Sequence, residues 1–261
     1  MNPEAPGEKP YPGFWQGLGL LGENLLVTVV TLLPFLLLDK LKENPAVLAM
    51  GSLLGAAWVL MRYRSRTRIE PDDVAGQFDI PLITVLPIAG VVFGLLLAET
   101  PILLWLMHLA PWLNTKDDYG MAESAVGSFL LVVVAAPVSE ELLFRGVLLR
   151  GFAGRYGDRT GILLSAAFFA LMHFYAIKVL STFLLGVLLA WLTLRFGSIW
   201  PGVMAHAMNN LLAYLAMFYG DPNRAEQTIP APEPLHYAMI PAGIALVFVG
   251  FSSLRRGTMK S

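Results

Sequence analysis

Two adjacent carboxylates and an arginine follow directly on a long apolar stretch of the sequence. The stretch covers residues 126–138, and Glu140, Glu141 and Arg145 lie within seven residues of its end. Charged side chains are rare and costly at membrane depth, so such a group is a candidate functional site. The alternative is a helix end at the membrane surface, where charges are ordinary and long side chains reach water.

Helix geometry separates the two carboxylates. Glu141 and Arg145 are four residues apart with the acid on the N-terminal side, which is the favourable order for an ion pair on a helix. Glu140 lies about 100° around the helix from Glu141 and lacks that partner. We therefore predict that Glu141 and Arg145 form a structural ion pair and that Glu140 is the chemically active group.

Two further apolar segments carry histidines. His173 ends the segment 168–173, and His206 shares a helix face with Asn210 at i,i+4 spacing. At about 1.5 Å per residue, Glu140 and these three side chains lie roughly 12–20 Å from one membrane face. The similar depth predicts that they converge. Taken singly, each histidine or asparagine could instead be a hydrogen-bonding group between helices.

This set of side chains suits the activation of water. A carboxylate with a histidine can take a proton from water as a general base, and partial desolvation strengthens that base. A second histidine with an asparagine can donate hydrogen bonds to an oxyanion. A zinc ion bound by Glu140, His173 and His206 is the rival interpretation, since these are usual zinc ligands. The sequence lacks the HExxH motif of zinc proteases and contains no cysteine nucleophile or thiolate ligand.

The composition indicates what must position these side chains. The 261 residues are 56% hydrophobic and 14% charged, against about a quarter charged in a soluble domain. The mean hydropathy is +0.62. We predict an all-α, polytopic membrane protein. The net charge of −1 gives no indication of a nucleic-acid partner.

About eight segments are each near the roughly 20 apolar residues that cross a bilayer as a helix. They are approximately residues 18–38, 45–61, 81–112, 121–150, 161–175, 179–196, 199–219 and 237–254. Residues 102–112 could continue the third segment or form a separate interfacial piece. The proline-rich stretch 220–236 is typical of an external loop. Glu23 and Glu99 lie inside predicted spans and receive no assigned role.

The basic residues indicate an orientation. A cytoplasmic N-terminus places thirteen lysines and arginines on the inside and five on the outside, as the positive-inside rule requires. An even number of spans then places both termini in the cytoplasm. The N-terminal stretch lacks the basic region of a signal peptide, so the first span is expected to be retained. A multi-pass protein of a bacterial inner membrane is the expected localisation.

Three motifs in this order resemble those of the CPBP (CAAX protease and bacteriocin-processing, or Abi) family of intramembrane proteases, which includes the type II CAAX prenyl endopeptidases. The family pattern is EExxxR, then FxxxH, then HxxxN or HxxxD. Here it is matched by Glu140–Arg145, Phe169–His173 and His206–Asn210. The resemblance implies that Glu141 and Arg145 shape the site.

The resemblance also implies catalytic roles for four residues. Glu140 and His173 would activate the attacking water, and His206 and Asn210 would hold the oxyanion. It covers about residues 124–218 and divides the chain into N-terminal helices (1–117), a catalytic core (118–220), and an external loop with the last helix (221–261). The sequence lacks HExxH and contains the His/Asn pair, and both observations favour a metal-free version of the protease over a zinc-dependent one.

The expected function is therefore an intramembrane endopeptidase. Its substrate would be a membrane-associated or lipidated peptide or protein, with the lipid bilayer as its surroundings and no cofactor favoured. Two alternatives stay open: a transporter that uses the same groups as a proton relay, and a non-proteolytic partner or immunity protein. The sequence does not indicate the oligomeric state or whether the substrate is prenylated.

Overall fold

The computed structural model describes residues 9–36, 38, 44–67, 69, 71–78, 80–110, 112, 125–173, 176–218 and 232–256. This part of the chain is almost entirely helical and contains no β-strand. The helices within it are α1 (Phe14–Leu36), α2 (Pro45–Thr67), α3 (Pro71–Ala75), α4 (Leu82–Leu109), α5 (Ala125–Tyr156), α6 (Asp158–Leu171), α7 (Ala176–Phe196), α8 (Trp200–Phe218) and α9 (Pro234–Arg256).

The predicted class, an all-α polytopic membrane protein, is confirmed. Six of the described helices are long and apolar enough to cross a membrane: α1, α2, α4, α5, α7 and α9. The other two predicted spans are also helical, but α6 has only 14 residues. At about 1.5 Å per residue it measures roughly 21 Å, which is shorter than a bilayer core of about 30 Å. The count of eight spans and the cytoplasmic termini stay predictions.

Helix α4 answers the question about residues 102–112. It runs without interruption through Pro101 to Leu109 and includes Pro87 as well. Residues 102–109 therefore continue the third span and do not form a separate piece. The predicted external loop falls mostly on residues 219–231, which lie outside the described part of the chain.

Helix α5 departs from regular α-helical geometry in two places. Leu130–Ala135 and Leu142–Leu149 are π-helical, and they flank the α-helical stretch Ala136–Glu141. Wider π turns are rare and occur frequently at functional sites. The helix also continues beyond the predicted end at Arg150, as far as Tyr156.

A tight turn joins α5 to α6. Gly157 has φ of 83°, a left-handed conformation that glycine adopts without the steric cost that a Cβ brings. The turn lets α6 pack back along α5, where Ser165 donates a hydrogen bond from Oγ to the Phe144 carbonyl at 2.9 Å. This packing carries the C-terminal end of α6 toward the middle of α5.

The interior contains two apolar clusters. One joins α1, α2, α5 and α6 and includes Val59, Val147 and Phe169. The other joins α4, α7, α8 and α9 and includes Ile88 and Leu189. Helices α5, α6, α7 and α8 meet where the two clusters adjoin, and the candidate site lies there.

Candidate active site

Arg145 is the centre of the candidate site. Its side chain is fully buried, and Nη1 donates to Glu141 Oε1 at 2.8 Å. Nη2 donates to the Gly186 carbonyl of α7 at 3.1 Å, and the guanidinium carbon lies 4.5 Å from the Phe169 ring centroid. The predicted Glu141–Arg145 ion pair is therefore present. Its added hydrogen bond and ring contact are the kind of support that a buried ion pair needs to offset desolvation.

His206 connects the two glutamates. Its Nδ1 lies 3.0 Å from Glu141 Oε1, and its Nε2 lies 3.8 Å from Glu140 Oε2. The first contact is a hydrogen bond, whereas the second is too long for one and is electrostatic. The sequence had not predicted any contact between His206 and Glu141. Glu141 is thus bound on one oxygen by both an arginine and a histidine.

The two glutamates differ in exposure. The Glu141 side chain is 0% exposed and that of Glu140 is 29% exposed. Oε2 of each is buried and has no hydrogen-bond partner in the described part of the chain. Most buried polar atoms in proteins are hydrogen-bonded, so two adjacent exceptions indicate a site where polar groups bind something else.

His173 lies in a turn beyond the end of α6, not on the helix as the sequence predicted. Its Nδ1 is 2.9 Å from the Phe169 carbonyl oxygen. A carbonyl only accepts hydrogen bonds, so Nδ1 carries the hydrogen and Nε2 of the neutral ring keeps a lone pair. The Phe169 ring packs against both imidazoles, with centroid distances of 4.7 Å to His173 and 5.5 Å to His206.

Asn210 lies one turn from His206 on α8 and also faces α5. Its Nδ2 donates to the Val132 carbonyl at 2.9 Å, in the first π-helical stretch. Its Oδ1 accepts a longer hydrogen bond from Asn209 at 3.4 Å. Because an amide nitrogen has two hydrogens, the second N–H of Asn210 is left for another acceptor.

Small residues that the sequence had not singled out support this arrangement. Ser139, next to Glu140, donates to the Ala136 carbonyl at 3.0 Å, so Ser52 of α2 donates to Ser139 at 2.8 Å. A Cβ at Gly202 of α8 would lie 3.1 Å from Glu141 Oε2. Small side chains that allow close helix contact are frequent in membrane helices. That is the only signal in the sequence that could have pointed to these positions.

The zinc site considered as a rival stays a prediction. No group of three or more histidine, aspartate or glutamate residues in the described part of the chain is placed to hold a metal ion. Glu140 and His206 are neighbours, and His173 binds the Phe169 carbonyl through Nδ1.

Glu23 and Glu99 lie outside the cluster and have other partners. Glu23 accepts hydrogen bonds from Arg62 at 2.9 and 3.1 Å and from Trp58 at 2.8 Å, which joins α1 to α2. Glu99 is buried on α4 and accepts a hydrogen bond from Ser181 Oγ of α7 at 2.7 Å. Both are therefore contacts between helices.

The fold and the site together define a polytopic helical membrane protein with a buried cluster of glutamate, arginine and histidine. Residues 122–212 match the model of one protein family, described as type II CAAX prenyl endopeptidase Rce1-like. This match supports the resemblance to the CPBP, or CAAX protease, family that the three motifs indicated. The matched segment holds the motif residues on α5, α6 and α8. No curated protein and no solved structure gave a significant match.

Proposed function

We propose that the protein is an intramembrane endopeptidase in which Glu140 and His173 activate the attacking water without a metal ion. The observation that carries the proposal is the pair of glutamates around His206. Glu141 is fully buried and held by Arg145, while Glu140 beside it is 29% exposed and has an unpartnered oxygen. One carboxylate is thus fixed and the other is accessible. The family assignment supports hydrolysis of a peptide bond.

The first step is the attack of water on the substrate carbonyl carbon. The Glu140 carboxylate accepts a proton from the water as the new C–O bond forms, and Nε2 of neutral His173 orients the water by accepting its other hydrogen. The tautomer of His173 supports this role, because its Nδ1 hydrogen is directed at the Phe169 carbonyl. When the C–N bond breaks, the proton held by Glu140 passes to the leaving amine.

The second part of the site stabilises the oxyanion of the tetrahedral intermediate. His206 Nε2 and the second N–H of Asn210 are the donors that we assign to it. His206 Nδ1 is occupied by Glu141 Oε1, which Arg145 also binds. Nε2 is therefore the ring nitrogen left to donate to the oxyanion, which it does in the form of the imidazole that carries both hydrogens.

Glu141 and Arg145 do not contact the reacting atoms in this proposal and act as positioning residues. Arg145 ties Glu141 to α7 through the Gly186 carbonyl, and Glu141 orients the His206 ring. The ring of Phe169 fills the space between both histidines and Arg145. The buried pair thus holds His206 toward Glu140.

For the substrate we propose a peptide segment of a membrane-associated or lipidated protein. The family description names prenyl endopeptidases, and the site lies among helices that cross the membrane. The excess of arginine and lysine on the predicted inner side favours cleavage in the cytoplasmic half of a bacterial inner membrane.

The test compares protein termini in membranes from cells that carry the native chain and cells that carry Glu140→Gln. The substitution keeps the shape of the side chain but removes the base, so we expect new termini only with the native chain. Glu99→Gln is the matched control, because Glu99 is also a membrane-embedded glutamate but binds Ser181 outside the site. It should leave the termini unchanged.

Identical termini in native and Glu140→Gln membranes, with both proteins folded and equally abundant, would overturn the proposal. Full activity of Glu140→Gln against a substrate found in this way would overturn the role of Glu140 specifically. Loss of cleavage on chelation with rescue by zinc would overturn the metal-free mechanism.

A further inference from the structure

A cavity lies between the first turns of α4 and the last turns of α9, and none of the motif residues lines it. Its volume is about 630 Å³, within the range of cavities that bind small molecules. Most of its lining is apolar and includes Ile83, Pro87 and Phe248. Ser252 and Arg256 lie at one end of it.

The two helices that line this cavity pack closely against each other. Gly94 of α4 and Gly243 of α9 bring the two backbones into contact, and a Cβ at Gly94 would lie 2.7 Å from the Gly243 carbonyl oxygen. Gly250 continues the contact, since a Cβ there would lie 2.7 Å from the Pro87 carbonyl oxygen. The cavity lies toward the ends of the two helices, beside these contacts.

The polar end of the cavity contains hydrogen-bond donors that have no acceptor among the described residues. The Ser253 hydroxyl donates to the Val249 carbonyl, and the Thr84 hydroxyl donates to the Pro81 carbonyl. The Ser252 hydroxyl and the Arg256 guanidinium, in contrast, have no hydrogen-bond or ion-pair partner within the described residues.

Three arginines lie near the polar end of the cavity. Arg195 at the end of α7 donates to the Arg255 carbonyl at 3.3 Å, which brings a third guanidinium beside Arg255 and Arg256. Arginines collect on the cytoplasmic side of membrane helices, where the lipid leaflet carries negative headgroups. The walls toward the membrane interior are apolar, and Phe248 and Val249 are strongly exposed at 72% and 60%.

We propose that this cavity binds one anionic phospholipid. Its phosphate accepts hydrogen bonds from Arg256 and Ser252, and one acyl chain lies against Phe248 and Val249. The charge of the arginines selects an anionic headgroup, and the apolar walls select an attached chain over a free anion. None of the lining residues belongs to the Glu140–Arg145–His206 cluster, so the lipid site is independent of the proposed peptidase chemistry.

The experiment uses the purified full chain in a neutral detergent with equal amounts of phosphatidylglycerol and phosphatidylcholine of identical acyl chains. Native mass spectrometry counts the lipids that each protein molecule retains. We expect one phosphatidylglycerol to be retained in preference to phosphatidylcholine. Arg256→Gln should lower that preference about fivefold, which corresponds to about 1 kcal/mol for one arginine at an anionic surface.

Two further variants separate the contribution of charge to lipid binding from that of the cavity's shape. Ser252→Trp fills the cavity without removing a charge and should abolish retention of the lipid. Arg66→Gln is the matched control, because Arg66 is an exposed arginine near the end of α2 and does not line the cavity. It should leave the preference unchanged.

Equal retention of the two lipids by the native chain would overturn the proposal. So would an equal loss in Arg66→Gln and Arg256→Gln, because general surface charge would then explain the binding. Displacement of phosphatidylglycerol by soluble glycerol 3-phosphate would also overturn it and would show a site for a free phosphate. Persistence of the lipid in that competition supports the proposal.

Discussion

Two glutamate–arginine ion pairs among the described residues are nearly the same length and very differently placed. Glu141 and Arg145 are 2.8 Å apart within α5, and neither side chain is exposed. Glu23 and Arg62 are 2.9 Å apart between α1 and α2, with side chains 34% and 38% exposed. The first pair lies among the motif residues, whereas the second is an isolated contact between two helices.

The difference in burial decides what each pair contributes. Exposed ion pairs add little to the stability of the fold, because water and salt compete for both charges. A buried pair contributes little net stability as well, but removal of one partner leaves an uncompensated charge in a dry interior. The buried pair is therefore a position where single substitutions cost much, and the exposed pair is one where they cost little. Bond length alone would have ranked the two pairs as equals.

The largest effect is expected for Arg145→Gln. The substitution leaves the Glu141 charge unpaired and removes the hydrogen bond to the Gly186 carbonyl, at a cost of roughly 3–5 kcal/mol. We expect a low yield of folded protein by size-exclusion chromatography together with lost peptidase activity. A normal yield with lost activity would contradict the structural role of Arg145.

The second prediction tests whether Glu141 and Arg145 are energetically coupled. Glu141→Gln alone should lower the folded yield, because it leaves Arg145 as the unpaired charge. The double variant Glu141→Gln/Arg145→Met should recover part of that yield, because no buried charge then remains from the pair. Thermal unfolding midpoints of the single and double variants measure this. A double variant whose loss of stability equals the sum of the two single-variant losses would show that the pair is not energetically coupled.

A smaller effect is expected for Gly202→Ala. The added Cβ would lie 3.1 Å from Glu141 Oε2, so the carboxylate and α8 must move apart by a few tenths of an ångström, at a cost of roughly 1–3 kcal/mol. The displacement also moves His206, so we expect a larger loss of activity than the loss of stability alone would cause. Gly90→Ala is the control, because a Cβ there meets nothing within 4 Å. An equal loss in both variants would point to a general effect of replacing glycine.

The smallest effect is expected at the exposed pair. Arg62→Gln removes the ion pair, but Glu23 keeps its hydrogen bond from Trp58 and its access to water. The unfolding midpoint should stay near that of the native chain, and activity should be unchanged. A loss of folded protein as large as that of Arg145→Gln would remove the distinction between the two pairs.

The sequence predicted the contacts that follow from spacing within one helix. The Glu141–Arg145 pair required only a four-residue separation and the correct order of charges. The helical class followed from composition, and the meeting of α5, α6 and α8 was indicated by similar depths of Glu140 and His206. The roles of the motif residues in catalysis stay predictions.

Contacts between helices could not be predicted in the same way. The hydrogen bond from His206 to Glu141, and those from Trp58 to Glu23 and Ser181 to Glu99, depend on which helices are neighbours and how they are rotated. Backbone carbonyls that accept side-chain hydrogen bonds have no signature in the sequence. Hydrophobic patterns in membrane helices also carry less information, because lipid and protein interior are both apolar.

The π-helical stretches of α5 have a consequence for how this chain tolerates insertions and deletions. Each wide turn accommodates an extra residue relative to α-helical pairing. Loss of one residue from Leu142–Leu149 would therefore let the backbone return to ordinary pairing while the flanking segments keep their orientation. In the α-helical stretch Ala136–Glu141, by contrast, loss of one residue would rotate the preceding segment by about 100° relative to the rest. We expect a single-residue deletion to be tolerated better in the π-helical stretch than in the α-helical one.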